Sequence, residues 1–210
     1  MHCSVDAVLF DLLTGLLDSW SLWNHVAGDE ESGRRWRLRY LELCYGAGRY
    51  RAWENLVTAA AADVGLPGSR GSELVALWDR LEPWPEVPEV LAGLGLFKLG
   101  VVTNCSESLA LQAARRVSVP LQVVVSAERA GAYKPDPRPY RLALAELNVP
   151  AERTLFVAGS PSDIKGAANA GMRVFWHNRL GLSGETEKRL VGESDNLRSL
   201  VDWLEVPRNS

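Results

Sequence analysis

Residues 8–19 read VLFDLLTGLLDS. An apolar run, Val8 to Phe10, ends on a carboxylate, Asp11, and Leu12 and Leu13 follow it directly with no second acid in reach. Short apolar runs rich in β-branched residues read as buried strands. Ala7–Phe10 is the first of five, the others being Leu99–Val102, Leu121–Val125, Thr154–Val157 and Arg173–Trp176. Helical patterns over Glu107–Val117, Pro137–Leu147 and Asp163–Ala170 lie between the later runs. Strand and helix in alternation predict an α/β fold with a Rossmann-like, doubly wound parallel sheet and right-handed crossovers.

The first two runs are separated by about ninety residues without a convincing strand. Helical periodicity recurs there over Arg34–Tyr45, Ala52–Val64 and Glu73–Leu81. Residues 17–84 therefore read as a helical cap inserted after the first strand, and residues 1–16 with 85–210 as the sheet core. The cap carries Trp20, Trp23, Trp36, Trp53 and Trp78, which are expected to fill its interior and its seam with the sheet, one or two of them walling a pocket.

At 210 residues and 47% hydrophobic content the chain suits one globular domain with an insertion. A net charge of -3, with Lys and Arg scattered, gives no broad attraction to nucleic acid or to an anionic membrane, and neither is expected as a partner. Cys3, Cys44 and Cys105 lack paired metal-ligand spacing, so reduced thiols in a cytoplasmic protein are expected rather than disulfides or structural zinc. No run approaches the roughly 20 apolar residues of a membrane span, and no basic leader precedes one.

Open parallel sheets bind ligands beyond the carboxyl ends of their strands. The residues that follow the first four runs are Asp11; Thr103-Asn104-Cys105-Ser106; Ser126 and then Lys134; and Ala158-Gly159-Ser160-Pro161-Ser162-Asp163. Each alone has a structural role open to it. Asp11 suits a turn, Thr103 or Ser106 a helix cap, Lys134 a solvated loop, and Ser162 or Asp163 a helix start. Together they bring a carboxylate, a hydroxyl-amide pair, a lysine and a second carboxylate to one rim.

With these residues in order, the chain resembles the haloacid dehalogenase superfamily over FDLLTGLLD (10–18), VVTNCS (101–106), AYKPDPRPY (132–140) and LFVAGSPSDIKGAANAG (155–171). The last two segments are the most specific, and the helical insertion also matches the capped members. Most of that superfamily are magnesium-dependent phosphatases with a second Asp two residues after the nucleophile; here that position is Leu13, which cannot move a proton. A fourth motif that typically begins Gly-Asp corresponds here to Ala158-Gly159.

The sequence is more similar to the 2-haloacid dehalogenase branch, which uses neither metal nor cofactor. That resemblance implies Asp11 as nucleophile, Lys134 keeping it ionised, and Asp163 with Ser160 positioning or activating the hydrolytic water. It further implies Arg37, after Trp36, and Asn104 as halide acceptors, Thr103 with the N–H groups of Leu12 and Leu13 as holders of the substrate carboxylate, and Tyr140 packed at the site. A halide leaves without a proton, which accounts for Leu13. The implied partner is a small 2-haloacid or similar carboxylate, and a homodimer is the assembly that the resemblance allows. Family members carry Gly-Thr where this chain has Thr14-Gly15, so the hydroxyl supporting the Asp11 loop is expected one residue early. They also carry a serine and an asparagine at Ala158 and Ser160. Ring opening of a small carboxylic acid, a magnesium-dependent phosphatase and a non-catalytic capped scaffold remain the alternatives.

Overall fold

A computed structural model describes residues 5–184 and 187–205, so Cys3 lies outside the described residues while Cys44 and Cys105 are buried free thiols. Six parallel strands form one sheet in the order β3-β2-β1-β4-β5-β6. They are β1 Ala7–Asp11, β2 Lys98–Thr103, β3 Val123–Ser126, β4 Thr154–Ala158, β5 Arg173–His177 and β6 Leu190–Ser194. β1 is central because it buries both faces. Val8 and Phe10 join the hydrophobic cluster on one side, and Ala7 and Leu9 join the cluster on the other. The strand order reverses at the β1/β4 pair, so the crevice beyond Asp11 is where a ligand site belongs in this topology.

Helices cover both faces. α8 (Pro137–Leu147) and α9 (Pro161–Asn169) pack on the Ala7 side through Tyr140, Ala143, Leu147, Ile164 and Ala167. The Val8 side carries α5 (Val87–Gly93), α6 (Glu107–Ala114) and α10 (Arg198–Trp203), while the short α7 (Ala127–Ala130) follows β3. Between β1 and α5 the chain forms α1 (Ser19–Ala27), α2 (Glu30–Tyr45), α3 (Trp53–Asp63) and α4 (Ser69–Ala76). It leaves the sheet and returns side by side: the Asp18 N–H donates to the Glu82 carbonyl at 2.8 Å and the Trp84 N–H to the Leu16 carbonyl at 3.0 Å.

Buried indoles bind the insertion together. Trp23 and Trp36 stand 4.6 Å apart and Trp53 and Trp78 5.1 Å apart, in tilted and edge-on arrangements that aromatic quadrupoles favour. The indole N–H groups of Trp36, Trp53 and Trp78 each find an acceptor, and that of Trp78 crosses to the Leu109 carbonyl on α6 at 2.9 Å. Trp78 thereby ties the insertion to the core.

Several expected boundaries shift. α1 is an additional helix, started by the Asp18 carboxylate on the Ser21 N–H and ended at Gly28 with φ +102°, a left-handed cap that glycine permits. α2 begins at Glu30 because Asp29 caps it through the Ser32 N–H. The pattern expected over Glu73–Leu81 divides into α4 and a single 3-10 turn, Trp78–Arg80, as Trp78 turns inward. α3 is one residue shorter at each end than Ala52–Val64, α6 stops at Ala114 rather than Val117, and α9 spans Pro161–Asn169 in place of Asp163–Ala170. β3 starts at Val123 rather than Leu121, and β6 is a sixth strand. No helix among the described residues is long and apolar enough to cross a membrane.

Candidate active site

Asp11 ends β1, and the chain then coils tightly through Leu12–Leu16, which turns three donors onto one carboxylate oxygen. Asp11 Oδ2 accepts from the Thr14 N–H at 2.8 Å, the Thr14 hydroxyl at 2.5 Å and the Gly15 N–H at 3.1 Å. The hydroxyl expected to be out of place is therefore in contact with the acid, since the tight coil brings position 14 back over position 11. The loop is itself anchored. The Trp84 indole donates to the Thr14 carbonyl at 3.0 Å and His177 Nδ1 lies 2.9 Å from the Gly15 carbonyl. Gly159, in the turn after β4, approaches so closely that a Cβ there would collide with the Thr14 hydroxyl and the Gly15 nitrogen. An aspartate at 159 is thus sterically barred by this loop.

Lys134 bridges the two acids. Its Nζ donates to Asp11 Oδ1 at 2.7 Å and lies 2.9 Å from Asp163 Oδ1, with all three side chains buried. Asp163 Oδ1 also accepts from the Tyr140 hydroxyl at 3.0 Å, and Oδ2 from the Ser160 hydroxyl at 3.2 Å. Tyr140 reaches that far because Gly166 faces its ring, where a Cβ would sit 2.6 Å from the hydroxyl.

The environment drives the two carboxyl groups apart. Burial acts to raise Asp11, but the charge of Lys134 and the hydrogen bonds of Lys134 and Thr14 outweigh it and hold Asp11 below its ordinary value. Asp163 is raised, because burial, joined by the charge of Asp11, outweighs Lys134. Lys134, although burial opposes its charge, is pushed up by both acids and stays protonated. Two nearby acids pushed in opposite directions suit an ionised nucleophile and a proton acceptor.

The facing wall comes from the insertion. A cavity offering about 50 Å³ to the centres of water-sized molecules is lined by Asp11, Leu13, Thr14, Asn104, Lys134, Ser160, Ser162 and Asp163 from the core, and by Trp20, Arg37, Tyr40, Leu41 and Tyr45 from the insertion. Arg37 is 5% exposed, and its Nε and Nη1 are buried without an acceptor. Its guanidinium stacks 4.1 Å from the centroid of the Trp20 ring. Burial lowers its pKa to about 10, partly offset by Asp11, so it remains a cation at neutral pH. A desolvated guanidinium with open donors suits an anion. Of the tryptophans, Trp20 walls the cavity, whereas Trp23, Trp36, Trp53 and Trp78 are interior.

Other expected residues need revision. Asn104 lines the cavity, but its amide is engaged on both sides: Nδ2 donates to the Lys134 carbonyl at 3.0 Å and Oδ1 accepts from the Lys134 N–H at 2.7 Å. It braces the lysine loop and keeps one N–H for any other acceptor. Thr103 is fully buried at the end of β2, its hydroxyl 3.9 Å from Cys105 Sγ, and is absent from the cavity wall. Leu12 is likewise fully buried, and Tyr140 stands behind Asp163 rather than on the wall. Ser106 precedes α6 without capping it by side chain, its hydroxyl going instead to Glu54 at 2.8 Å. Tyr45 and His177 carry no motif that marks them in sequence, and Ser162, inside the 155–171 segment, reads there only as a helix start. Only the fold brings them to the site or behind it.

The donors present do not suit a divalent cation. The two acids are already joined by an ammonium group, Leu13 is apolar, position 159 bears no side chain, and no cluster of three or more His, Cys, Asp or Glu arises among the described residues.

The chain is similar to known hydrolases. A family model described as haloacid dehalogenase-like hydrolase matches residues 5–171. Haloacetate dehalogenase H-2 of Moraxella sp. (strain B) is 27% identical over 219 residues, spanning 94% of this chain and 98% of that protein. A phosphatase of Mycobacterium tuberculosis (strain CDC 1551 / Oshkosh) is 30% identical over 220 residues, spanning 95% and 98%. Among solved structures, an L-2-haloacid dehalogenase superposes with a TM-score of 0.84 at 25% identity, covering 96% of this chain and 99% of its own.

Proposed function

Since this chain belongs to the haloacid dehalogenase-like hydrolase family, we propose that it hydrolyses short 2-haloalkanoic acids to 2-hydroxy acids through an ester on Asp11, without metal, under a cap formed by residues 17–84. The observation that carries this reading is the pairing, across one small cavity, of an ionised Asp11 with a buried Arg37 whose donors are open. The names of the dehalogenase relatives point the same way.

In this mechanism Asp11 attacks with Oδ1, which accepts a single hydrogen bond, while Oδ2 is saturated by Thr14 and Gly15. The Asp11 oxygen bonds to C2 of the substrate as the carbon–halogen bond breaks, and the halide departs with the electron pair to the Arg37 side, assisted by the remaining N–H of Asn104. The Leu13 side chain has no proton to give, and a departing halide requires none. The substrate carboxylate is assigned to the backbone N–H groups at the start of the Leu12–Leu16 coil, in place of the Thr103 hydroxyl, which lies behind the wall. Water then attacks the Asp11 carbonyl carbon and gives its proton to Asp163, whose raised pKa suits it to accept one. The tetrahedral adduct then collapses: the bond between the Asp11 carbonyl carbon and the ester oxygen breaks, the leaving oxygen takes the remaining proton of the attacking water to become the product hydroxyl, and Asp11 returns as carboxylate with one proton left on Asp163.

The Mycobacterium tuberculosis relative favours a phosphatase as the second reading. Leu13 stands against it, since no acid is placed to protonate a leaving alcohol. The test compares halide release from chloroacetate and racemic 2-chloropropionate, in the presence of EDTA, with phosphate release from p-nitrophenyl phosphate in the presence of magnesium. Halide release alone supports the proposal; magnesium-dependent phosphate release without halide overturns it.

A further inference from the structure

Asp163 is 2% exposed, so a proton that it takes up during ester hydrolysis has no direct way out. From its Oδ2 a line of hydroxyls runs along the cavity wall towards the insertion. Ser160 Oγ lies 3.2 Å from Asp163 Oδ2, Ser162 Oγ 3.0 Å from Ser160 Oγ, and the Tyr45 hydroxyl 2.5 Å from Ser162 Oγ. Tyr45 is the last residue of α2 and lines the same cavity, with 41% of the residue exposed, so the line runs from a buried acid to a side chain that meets solvent, across the seam between sheet and insertion. Ser160 holds the N-cap position of α9, yet its side chain caps no backbone N–H and is turned to Asp163 and Ser162 instead. A serine at that position without a capping bond is serving another partner.

We propose that Ser160, Ser162 and Tyr45 form a proton relay that empties Asp163 after each turnover. The proposal rests on the reading of Asp163 as acceptor of the proton from the hydrolytic water. Each hydroxyl both donates and accepts, so the line can pass one proton without any member becoming charged for long. Asp163 gives its proton to Ser160 Oγ, Ser160 gives its own to Ser162, Ser162 to Tyr45, and Tyr45 to bulk water. Every O–H bond broken is replaced by one formed, and the hydroxyls reset by rotation. Ser162 and Tyr45 are positioning residues here, acting on the chemistry only through Asp163.

The test separates ester formation from ester decay in rapidly quenched reactions with 2-chloropropionate, followed by intact mass. Ser162→Ala and Tyr45→Phe are expected to form the ester at the wild-type rate. Their ester should decay on the order of tenfold more slowly, a smaller loss than the roughly 10²–10⁴ carried by a group that transfers the proton directly. Imidazole, a small proton carrier, should restore decay in both variants, and Ser162→Thr, which keeps a hydroxyl, should resemble wild type. Unchanged decay in both variants overturns the relay, as does a loss that imidazole leaves in place or a rise in KM alone. If wild-type protein forms no ester at all, the function reading fails and the relay with it; if it forms ester and only these variants behave as wild type, the relay alone fails.

Discussion

The two walls of the cavity are built on opposite principles. On the sheet side, the charged groups are joined by short contacts: Lys134 bridges both acids, and Thr14 and Gly15 saturate one oxygen of Asp11. On the insertion side, Arg37 is as deeply buried, but its Nε and Nη1 have no acceptor and its company is an indole face. The sheet wall is complete in itself, whereas the insertion wall is complete only with an anion. On the proposed function, the nucleophile belongs to the first and the leaving group to the second.

Replacing Asp11 breaks the comparison most severely. Asp11→Asn is expected to abolish halide release, by about 10⁴-fold or more, as for other essential nucleophiles, and to yield no adduct by intact mass. Lys134→Met and Arg37→Met then sharpen the contrast in thermal unfolding. Losing Lys134 leaves two buried acids without their cation and is expected to cost about 3–5 kcal/mol of stability. Losing Arg37 removes a buried charge that has no acceptor, so its melting temperature should stay level or rise, while halide release falls roughly 10²–10³-fold. Equal destabilisation by both substitutions would break the comparison.

The acids give a subtler test. Asp163 must be ionised to take the proton, and its pKa is raised by burial, so ester decay is expected to fall first as pH drops. Asp11 is held below its ordinary value and continues to attack at that pH. Ester should therefore accumulate in mildly acidic solution, which quenched mass spectra at graded pH would read. The smallest expected effect is that of a chelator: EDTA should leave turnover unchanged, and a loss restored by magnesium would contradict the donor set described above.

Much of this was legible in the residues. Val8–Phe10 ending on Asp11, the AYKPD turn holding Lys134 and the helix start at Asp163 each follow a strand, and the parallel topology alone carries them to one rim. The sixth strand was not legible, because Leu190–Ser194 is a partly exposed edge with a glycine at its centre and offers no continuous apolar run. Nor was the Tyr45–Ser162 contact, whose members are 117 residues apart. The orientation of the Thr103 hydroxyl was not legible for a related reason. A strand-end hydroxyl is right in position, but whether it faces the crevice or the interior depends on the turn that follows. Thr14 shows the converse: its shift by one residue looks disruptive in the linear order and is absorbed by the tight coil that returns it to Asp11.

The central claim is that Asp11, rather than water, attacks the substrate carbon. A single turnover with protein in excess over 2-chloropropionate, run in water labelled with heavy oxygen, tests it most directly. The label is expected in the Asp11 carboxylate and absent from the product hydroxyl, because water attacks the ester at the Asp11 carbonyl carbon. Label in the product with Asp11 unlabelled would mean direct displacement by water and would contradict the account.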